Sequence, residues 1–590
     1  MNSPTYLKNN ADRYRDREAL SIKDENGNWE TDTWSDVHNS VIEISKSLIG
    51  CGIESQDKVS IYSYNQKKWY LCYHASQYIN AVSVGVYHTC SANEVEWIVG
   101  NSDSKIIFLG NNPNDNDENE KMPNHRLLAV LENLDKVKYV VTLPGVEKLS
   151  HDKIISWDEF MAMGKDITVQ DVEERFNQIK PEDTSSLIYT SGTTGNPKGV
   201  ILTHDNWDFE CQQLLTVAHF NPGDRSISWL PGAHVFGQAV DCHFTARLAM
   251  HTYIVDSPLN TVDYSKEIQP HLFISVPRIY EKVYSNLKSA VDSKAILKYG
   301  LKVPGLSGIL KNKLKTAAGF ANVTYAISGA APINPDILTF FQKLGIPLYE
   351  GYGLTESSAG ATLNYGLHNK IGSVGKKFPD TNIKINDDGE ILLQGRHIMN
   401  GYYNNKKATD EALIDGWFYT GDVGRVDTDG FLYITGRKKE IYVSSAGKNI
   451  APLVIEETMK SIPIISQCFL VGDNRNYCSA LFTLDVGVIL RDKIGIEATI
   501  IPKDPIKQIQ VLSEKGFSLK DYTESEEIFN EVQDEVHRLN LKFSNPEQLK
   551  KFSILPRDFT IDDGELTPTL KIRRKQITEN WTEVIDSMYK

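Results

Sequence analysis

The sequence predicts an α/β protein with a largely parallel sheet, divided into two or more domains. Apolar runs of strand length alternate with a helical pattern early in the chain, the signature of strands joined by helices. A chain of 590 residues also exceeds what one hydrophobic core organises. Its 41% apolar and 24% charged composition is ordinary for a soluble globular protein.

In chain order, residues 59–64 read as a strand and 69–79 as a helix, followed by strands at 81–87, 105–109 and 139–142. Residues 111–125, rich in Asn, Asp and Glu, read as an exposed acidic connection. The first fourteen residues are polar and lack a signal-peptide core, and no apolar run reaches the length of a membrane-spanning helix. Seven scattered cysteines form neither a metal-type spacing nor a disulfide framework, which suits a reducing compartment. A net charge of −14 argues against nucleic acid as a partner. The expectation is a cytoplasmic protein, or one peripheral to a membrane.

Two strand-like runs, 187–189 and 200–202, flank the string Tyr189-Thr-Ser-Gly-Thr-Thr-Gly-Asn-Pro-Lys-Gly199. Its glycines admit positive φ and let backbone N–H groups approach an anion. Ser191, Thr193 and Thr194 add hydroxyl donors, and Lys198 adds a compact positive charge. No Walker spacing can be drawn through it, so it cradles phosphate in another way or is only a turn.

Further strings carry chemistry. Trp229-Leu-Pro-Gly-Ala-His-Val-Phe-Gly237 sets His234 in an apolar segment, where a histidine is either core or part of a site. Ser328-Gly-Ala-Ala-Pro332 follows the strand-like residues 323–327, and its small residues would let a flat ring pack on backbone. Tyr349-Glu-Gly-Tyr-Gly-Leu-Thr-Glu356 offers an aromatic to stack on a base, a hydroxyl for a phosphate and a carboxylate for Mg²⁺. Asp422 ends the aromatic run 416–422, and a carboxylate accepting two ribose hydroxyls is a device that dinucleotide folds use. Residues 526–541 are apolar at Ile528, Phe529, Val532, Val536 and Leu539, an amphipathic helix suited to core packing or to a membrane or partner.

In this order, and along nearly the whole chain, these strings resemble the adenylate-forming superfamily of acyl-CoA synthetases, luciferases and peptide-synthetase adenylation domains. The resemblance implies a large N-terminal domain of layered α/β subdomains, residues 1–436, and a small mobile α+β C-terminal domain, residues 437–590. Thr190, Ser191, Gly192, Thr193, Thr194, Gly195 and Lys198 would then hold the phosphates of ATP. Gly329, Ala330, Glu350, Gly351 and Tyr352 would form the nucleotide cleft, with Tyr352 stacked on adenine. Thr355 would meet the α-phosphate, Glu356 hold Mg²⁺ and His234 lie beside the acyl carboxylate. Asp422 would bind ribose with Arg437 as second contact, and Lys439 would be the hinge residue. Gly447 would face the pantetheine of CoA. Lys571, in Leu566-Thr-Pro-Thr-Leu-Lys571, would be the catalytic lysine. Arg278 is either a ligand contact or half of a structural ion pair, and Gln238 stands near the place where some long-chain enzymes carry an aromatic gate.

The string at 566–571, together with Gly430-Phe-Leu-Tyr-Ile-Thr-Gly-Arg437, resembles the long-chain fatty acid–CoA ligase branch, most of all its bubblegum-type members. The implied reaction joins a fatty acid to CoA with ATP and Mg²⁺, through an acyl-adenylate. Two other readings share these strings: an adenylating enzyme with another acid or a non-CoA acceptor, and an inactive lipid-binding scaffold.

Overall fold

The structure is a computed structural model that describes residues 2–590 apart from 112–121, 148, 191–195, 444–448, 474, 498–499, 562 and 568–570. The chain forms two compact units. The larger holds 1–331, 338–384 and 392–419, and the smaller holds 332–337, 385–391 and 420–590.

Two sheets organise the larger unit. One has seven strands, built on Lys58–Tyr62, Val82–Val86 and Ser104–Leu109, and only its edge pair, Thr184–Thr190 with Lys198–Thr203, is antiparallel. The other has nine strands. Its centre is parallel, running through Arg225–Ser228, Leu272–Ser275, Tyr325–Ser328 and Leu348–Tyr352. Every residue of Val82–Val86 is buried, which is why this strand reads as an unbroken apolar run: a parallel strand is covered on both faces.

The helix Lys67–Tyr78 is buried from Trp69 onward on all sides, so it carries no polar stripe. Its residues share one core cluster with Val59 and Ile61 of the first sheet and with Leu20 and Ile254 of the second. The expected strand at 323–327 lies two residues later, at Tyr325–Ser328, because Val323 belongs to the turn that enters it. The expected helix at 69–79 begins two residues earlier.

The smaller unit contains a three-stranded sheet with Cys478–Leu484 at its centre, antiparallel to Ile465–Val471 and parallel to Leu549–Ile554. Alternation sorts the central strand. Cys478, Ala480, Phe482 and Leu484 enter one apolar cluster, and Leu481 enters the cluster on the opposite face. The amphipathic helix forms as Glu526–Asn540 and buries Ile528, Val532, Val536 and Leu539 in the first of these clusters. Phe529 is the exception, half-exposed and stacked on Phe552 at 4.6 Å. The helices Arg574–Asn580 and Thr582–Ser587 contribute Ile577 and Ile585 to the opposite cluster. All seven cysteines are buried free thiols. Among the described residues no helix is long and apolar enough to cross a membrane.

Candidate active site

In the larger unit, the phosphate-type string is carried by the antiparallel edge hairpin. Register places Thr190 opposite Lys198 and Tyr189 opposite Gly199, so these pairs close the neck of the loop. Ser191, Gly192, Thr193, Thr194 and Gly195 lie outside the described residues. Gly199 is required by close approach, since a Cβ there would stand 2.9 Å from Cζ of Tyr189. The Tyr189 hydroxyl in turn donates to Asn101 Oδ1 at 2.7 Å. On the returning leg, Trp97 Nε1 donates to the Pro197 carbonyl at 2.8 Å.

A second segment is laced onto this hairpin. Val200 bridges Tyr402, the Ile201 N–H donates to the Gly401 carbonyl at 3.0 Å, and the Tyr403 N–H donates to the Gly199 carbonyl at 2.8 Å. Tyr402 is held further by its own N–H, which donates to Thr409 Oγ1 at 2.9 Å. Its hydroxyl donates to Glu356 Oε1 at 2.8 Å, and Lys198 Nζ sits 4.9 Å from the centre of its ring. Tyr402 thus joins the lysine of the loop to the carboxylate proposed for Mg²⁺. No motif string contained it, because the bridge spans some 200 residues of chain.

Glu356 lies in the short turn Thr355–Ser357 that follows strand Leu348–Tyr352. Its carbonyl accepts the Met399 N–H at 2.9 Å, which ties the turn to the 399–403 segment. Thr355 and Glu350 are buried, while Gly351 and Tyr352 are half-buried. Behind the turn stands Glu210, a buried carboxyl whose Oε2 has no hydrogen-bond partner among the described residues. Burial pushes its pKa well above the usual carboxylate range. A Cβ on Gly360 would come within 2.1 Å of its Oε1. Sequence reading missed Glu210, and a glutamate inside the run Trp207 to Cys211 was the signal available.

Gly329 and Ala330 follow the end of strand Tyr325–Ser328, with Ala330 exposed and at φ 67°. A Cβ on Gly329 would lie 3.1 Å from the Phe236 ring, so that ring stands against the backbone there. His234 is half-buried and caps a short helix, its Nδ1 accepting the Phe236 N–H at 3.1 Å, with the Tyr87 ring edge-on at 6.5 Å. Gln238 is wholly buried, donating to the Gly232 carbonyl and accepting from Tyr73. Arg278 is exposed at the start of helix Pro277–Ser293 and makes no ion pair among the described residues.

In the smaller unit, register sets Asp422 opposite Arg437, and Arg437 Nε lies 2.9 Å from Asp422 Oδ1. The buried carboxylate is therefore oriented by the half-exposed guanidinium, and its own N–H is tied to Thr420 Oγ1 at 3.0 Å. Next to it, Lys438 pairs with Asp388 at 2.6 Å and Glu390 at 2.7 Å, and hydrogen bonds to those two carboxylates raise its pKa. Lys439 is exposed in the turn that follows strand Leu432–Arg437. Gly447 lies outside the described residues.

Lys571 is exposed on a narrow loop closed by reciprocal bonds with Thr567: the Thr567 N–H donates to the Lys571 carbonyl at 2.8 Å, and the Lys571 N–H to Thr567 Oγ1 at 3.0 Å. The base of this loop rests on Glu565, whose side chain is wholly buried. Glu565 accepts from Arg557 Nη1 at 2.6 Å, Trp581 Nε1 at 2.8 Å and Asn580 Nδ2 at 3.1 Å. Burial alone would raise its pKa, but these bonds outweigh burial and hold it below the usual range.

Residues 7–403 match the family model of the AMP-binding enzymes. The chain is 32% identical to the long-chain-fatty-acid–CoA ligase FadD15 of Mycobacterium bovis, covering 95% of this chain and 93% of that one. It is 30% identical to the long-chain-fatty-acid–CoA ligase ACSBG2 of Xenopus laevis, covering 98% and 82%. Its fold is similar to the crystal structure of the anthranilate CoA ligase AuaEII in complex with anthranoyl-AMP, with a TM-score of 0.74 at 16% identity over 99% and 98% of the two chains. The match to residues 7–403 spans about two-thirds of the chain, and this chain belongs to the AMP-binding enzyme family.

Proposed function

We propose that the protein is a long-chain fatty acid–CoA ligase, which converts ATP, a fatty acid and CoA to acyl-CoA, AMP and pyrophosphate. Family membership and the named activity of its relatives support this reading. The observation that carries it is the Lys198–Tyr402–Glu356 arrangement, which joins a cationic loop neck to an oriented carboxylate.

A carboxylate is a poor acyl donor because its leaving group would be oxide. Attack of its oxygen on the α-phosphorus of ATP gives an acyl-adenylate and expels pyrophosphate. Crowded negative charge is the obstacle, so positioning and electrostatics carry the catalysis. Lys198 and the 190–195 loop hold phosphates, Thr355 donates to the α-phosphate, and Tyr352 stacks on adenine in the cleft of Gly329, Ala330, Glu350 and Gly351. His234 orients the acyl carboxylate, and Asp422 with Arg437 receives the ribose.

The fit to Mg²⁺ follows from the donors present. Among the described residues no cluster of three His, Cys, Asp or Glu could cage a metal. Glu356 has one oxygen fixed by Tyr402, and Mg²⁺ is commonly held by one or two carboxylates together with phosphate oxygens. Bound there, Mg²⁺ would neutralise charge that develops on the phosphates.

The second half-reaction requires Lys571 to give way to CoA. Exchange of the Lys571 face of the 437–590 domain for its Gly447 face, about Lys439, meets that requirement. The protein acts in the cytoplasm or peripherally at a membrane, where long-chain acids partition.

The experiment is pyrophosphate release with ATP and Mg²⁺ across acids from acetate to very long chains, with and without CoA. CoA-dependent turnover peaking at long chains is expected. Release that ignores CoA would point to another acceptor, and the absence of release with every acid would overturn the reading. Lys571→Ala should lose adenylate formation while keeping thioester formation from supplied acyl-adenylate. Equal loss of both halves in a folded variant would refute its assigned role.

A further inference from the structure

One surface of the larger unit is unlike the rest of the molecule. The segment from Lys294 to Ala331 carries six lysines (294, 298, 302, 311, 313 and 315) and no acidic residue, in a chain with 77 acidic and 63 basic residues. It folds as a short helix, Ala295–Gly300, a connecting turn, and the helix Leu306–Ala318. The second helix turns Leu310, Leu314 and Ala318 inward, and Leu310 and Leu306 pack over Gly300, where a Cβ would meet them at 2.7 and 3.2 Å.

The outward face is apolar. Ile296 is 67% exposed, Tyr299 63%, Val303 48%, Leu306 38% and Ile309 58%. Five of the eighteen large exposed hydrophobics among the described residues thus fall within fourteen consecutive positions. Single exposed apolar side chains need no explanation, but a cluster rimmed by one sign of charge does. None of the six lysines forms an ion pair among the described residues, although carboxylates abound elsewhere on the chain.

We propose that this lysine-rimmed apolar hairpin, residues 294–315, docks the protein on an anionic lipid bilayer. Charge selects the occupant: six lysines without a counter-ion suit a surface of fixed negative charge. Apolar side chains at the tip suit shallow insertion at the headgroup boundary, where a tyrosine sits with its ring in the acyl region and its hydroxyl in water. Lysine stems of four carbons let the ammonium groups reach phosphates while the stems cover apolar surface. No spanning helix is needed, because the contact is peripheral. The proposal deepens the fatty acid ligase reading, since a long-chain acid resides in such a bilayer, yet the contact itself requires no catalysis.

The test is co-sedimentation of the full chain, without ATP or CoA, with vesicles of phosphatidylglycerol and phosphatidylcholine and with vesicles of phosphatidylcholine alone. Binding to the anionic vesicles that weakens with salt is expected. A variant with Lys298→Glu, Lys302→Glu, Lys311→Glu and Lys313→Glu should partition at least about a hundredfold more weakly. A second variant, Ile296→Ser with Tyr299→Ser and Ile309→Ser, keeps the charges and should bind at least about tenfold more weakly. Both should turn over a detergent-dispersed acid at the wild-type rate and fall behind only when the acid is supplied in anionic vesicles. Equal binding to both vesicle types, no binding to either, or variants that bind as the wild type does would overturn the proposal. Vesicle binding by a chain that ligates no acid would instead leave this contact standing and remove the ligase reading.

Discussion

Tyr402→Phe deletes one hydroxyl and leaves the ring beneath Lys198 and the backbone lacing to Val200 in place. What is lost is a 2.8 Å hydrogen bond to a carboxylate. Bonds to charged groups contribute about 1.5–3 kcal/mol, and both partners here are half-buried, so the lower end applies. If the bond serves to aim Glu356 at Mg²⁺, a loss of about 1.4 kcal/mol appears as a rise of about tenfold in the Mg²⁺ needed for half-maximal adenylate formation. Pyrophosphate release titrated with Mg²⁺ at saturating ATP measures this directly. Thioester formation from supplied acyl-adenylate needs no such metal and should be unchanged, as should thermal unfolding to within a degree or two. A Mg²⁺ titration curve identical to the wild type, with Glu356→Gln still shifting it, would show that the tyrosine does not orient the carboxylate.

Other perturbations follow from single contacts. Asp241 is buried, accepts the Ser228 hydroxyl at 2.7 Å, and burial pushes its pKa up to about 8. Between the unfolded value of 3.8 and about 8 the folded state holds the extra proton, so this group makes the fold less stable as pH rises through that window. Asp241→Asn removes the dependence, and its melting temperature should gain on the wild type from pH 5 to pH 8; a constant difference would refute the protonated assignment. Arg557→Ala leaves Glu565 buried with fewer partners and should cost about 2 kcal/mol in denaturant unfolding of the smaller unit. Because the Glu565 pKa is depressed on folding, that difference is present above its ordinary value of 4.5 and shrinks as pH falls below it. Gly199→Ala drives a methyl into the Tyr189 ring and should destabilise by about 1–3 kcal/mol while weakening ATP binding.

The legible parts of this fold were those in which one physical cause dominates locally. Strands at 82–86 and 104–109 are apolar because both faces of a parallel sheet are covered. The helix at 526–540 was visible because only one of its faces is buried. The candidate site residues came from the family resemblance and not from periodicity, since nothing in the periodicity of a strand singles out Asp422. What stayed hidden was set by register and by distant packing. The Asp422–Arg437 ion pair follows from an antiparallel pairing. Tyr402 acquires its place only when residues 399–403 are laced to the hairpin and to the Glu356 turn. Glu210 reads as one more surface acid until the helix that bears it is packed against Gly360.

The seven buried thiols have a use that has nothing to do with ligation chemistry. Cys51, Cys72, Cys90, Cys211 and Cys242 belong to the larger unit, and Cys468 and Cys478 to the smaller. A thiol sealed from solvent reacts with an alkylating reagent only while its surroundings are open. Labelling followed by peptide mass mapping would therefore report, site by site and without any engineered probe, how often each unit breathes. The protein carries its own set of native reporters, two in the part that bears Lys571 and five in the part that bears the phosphate-type loop.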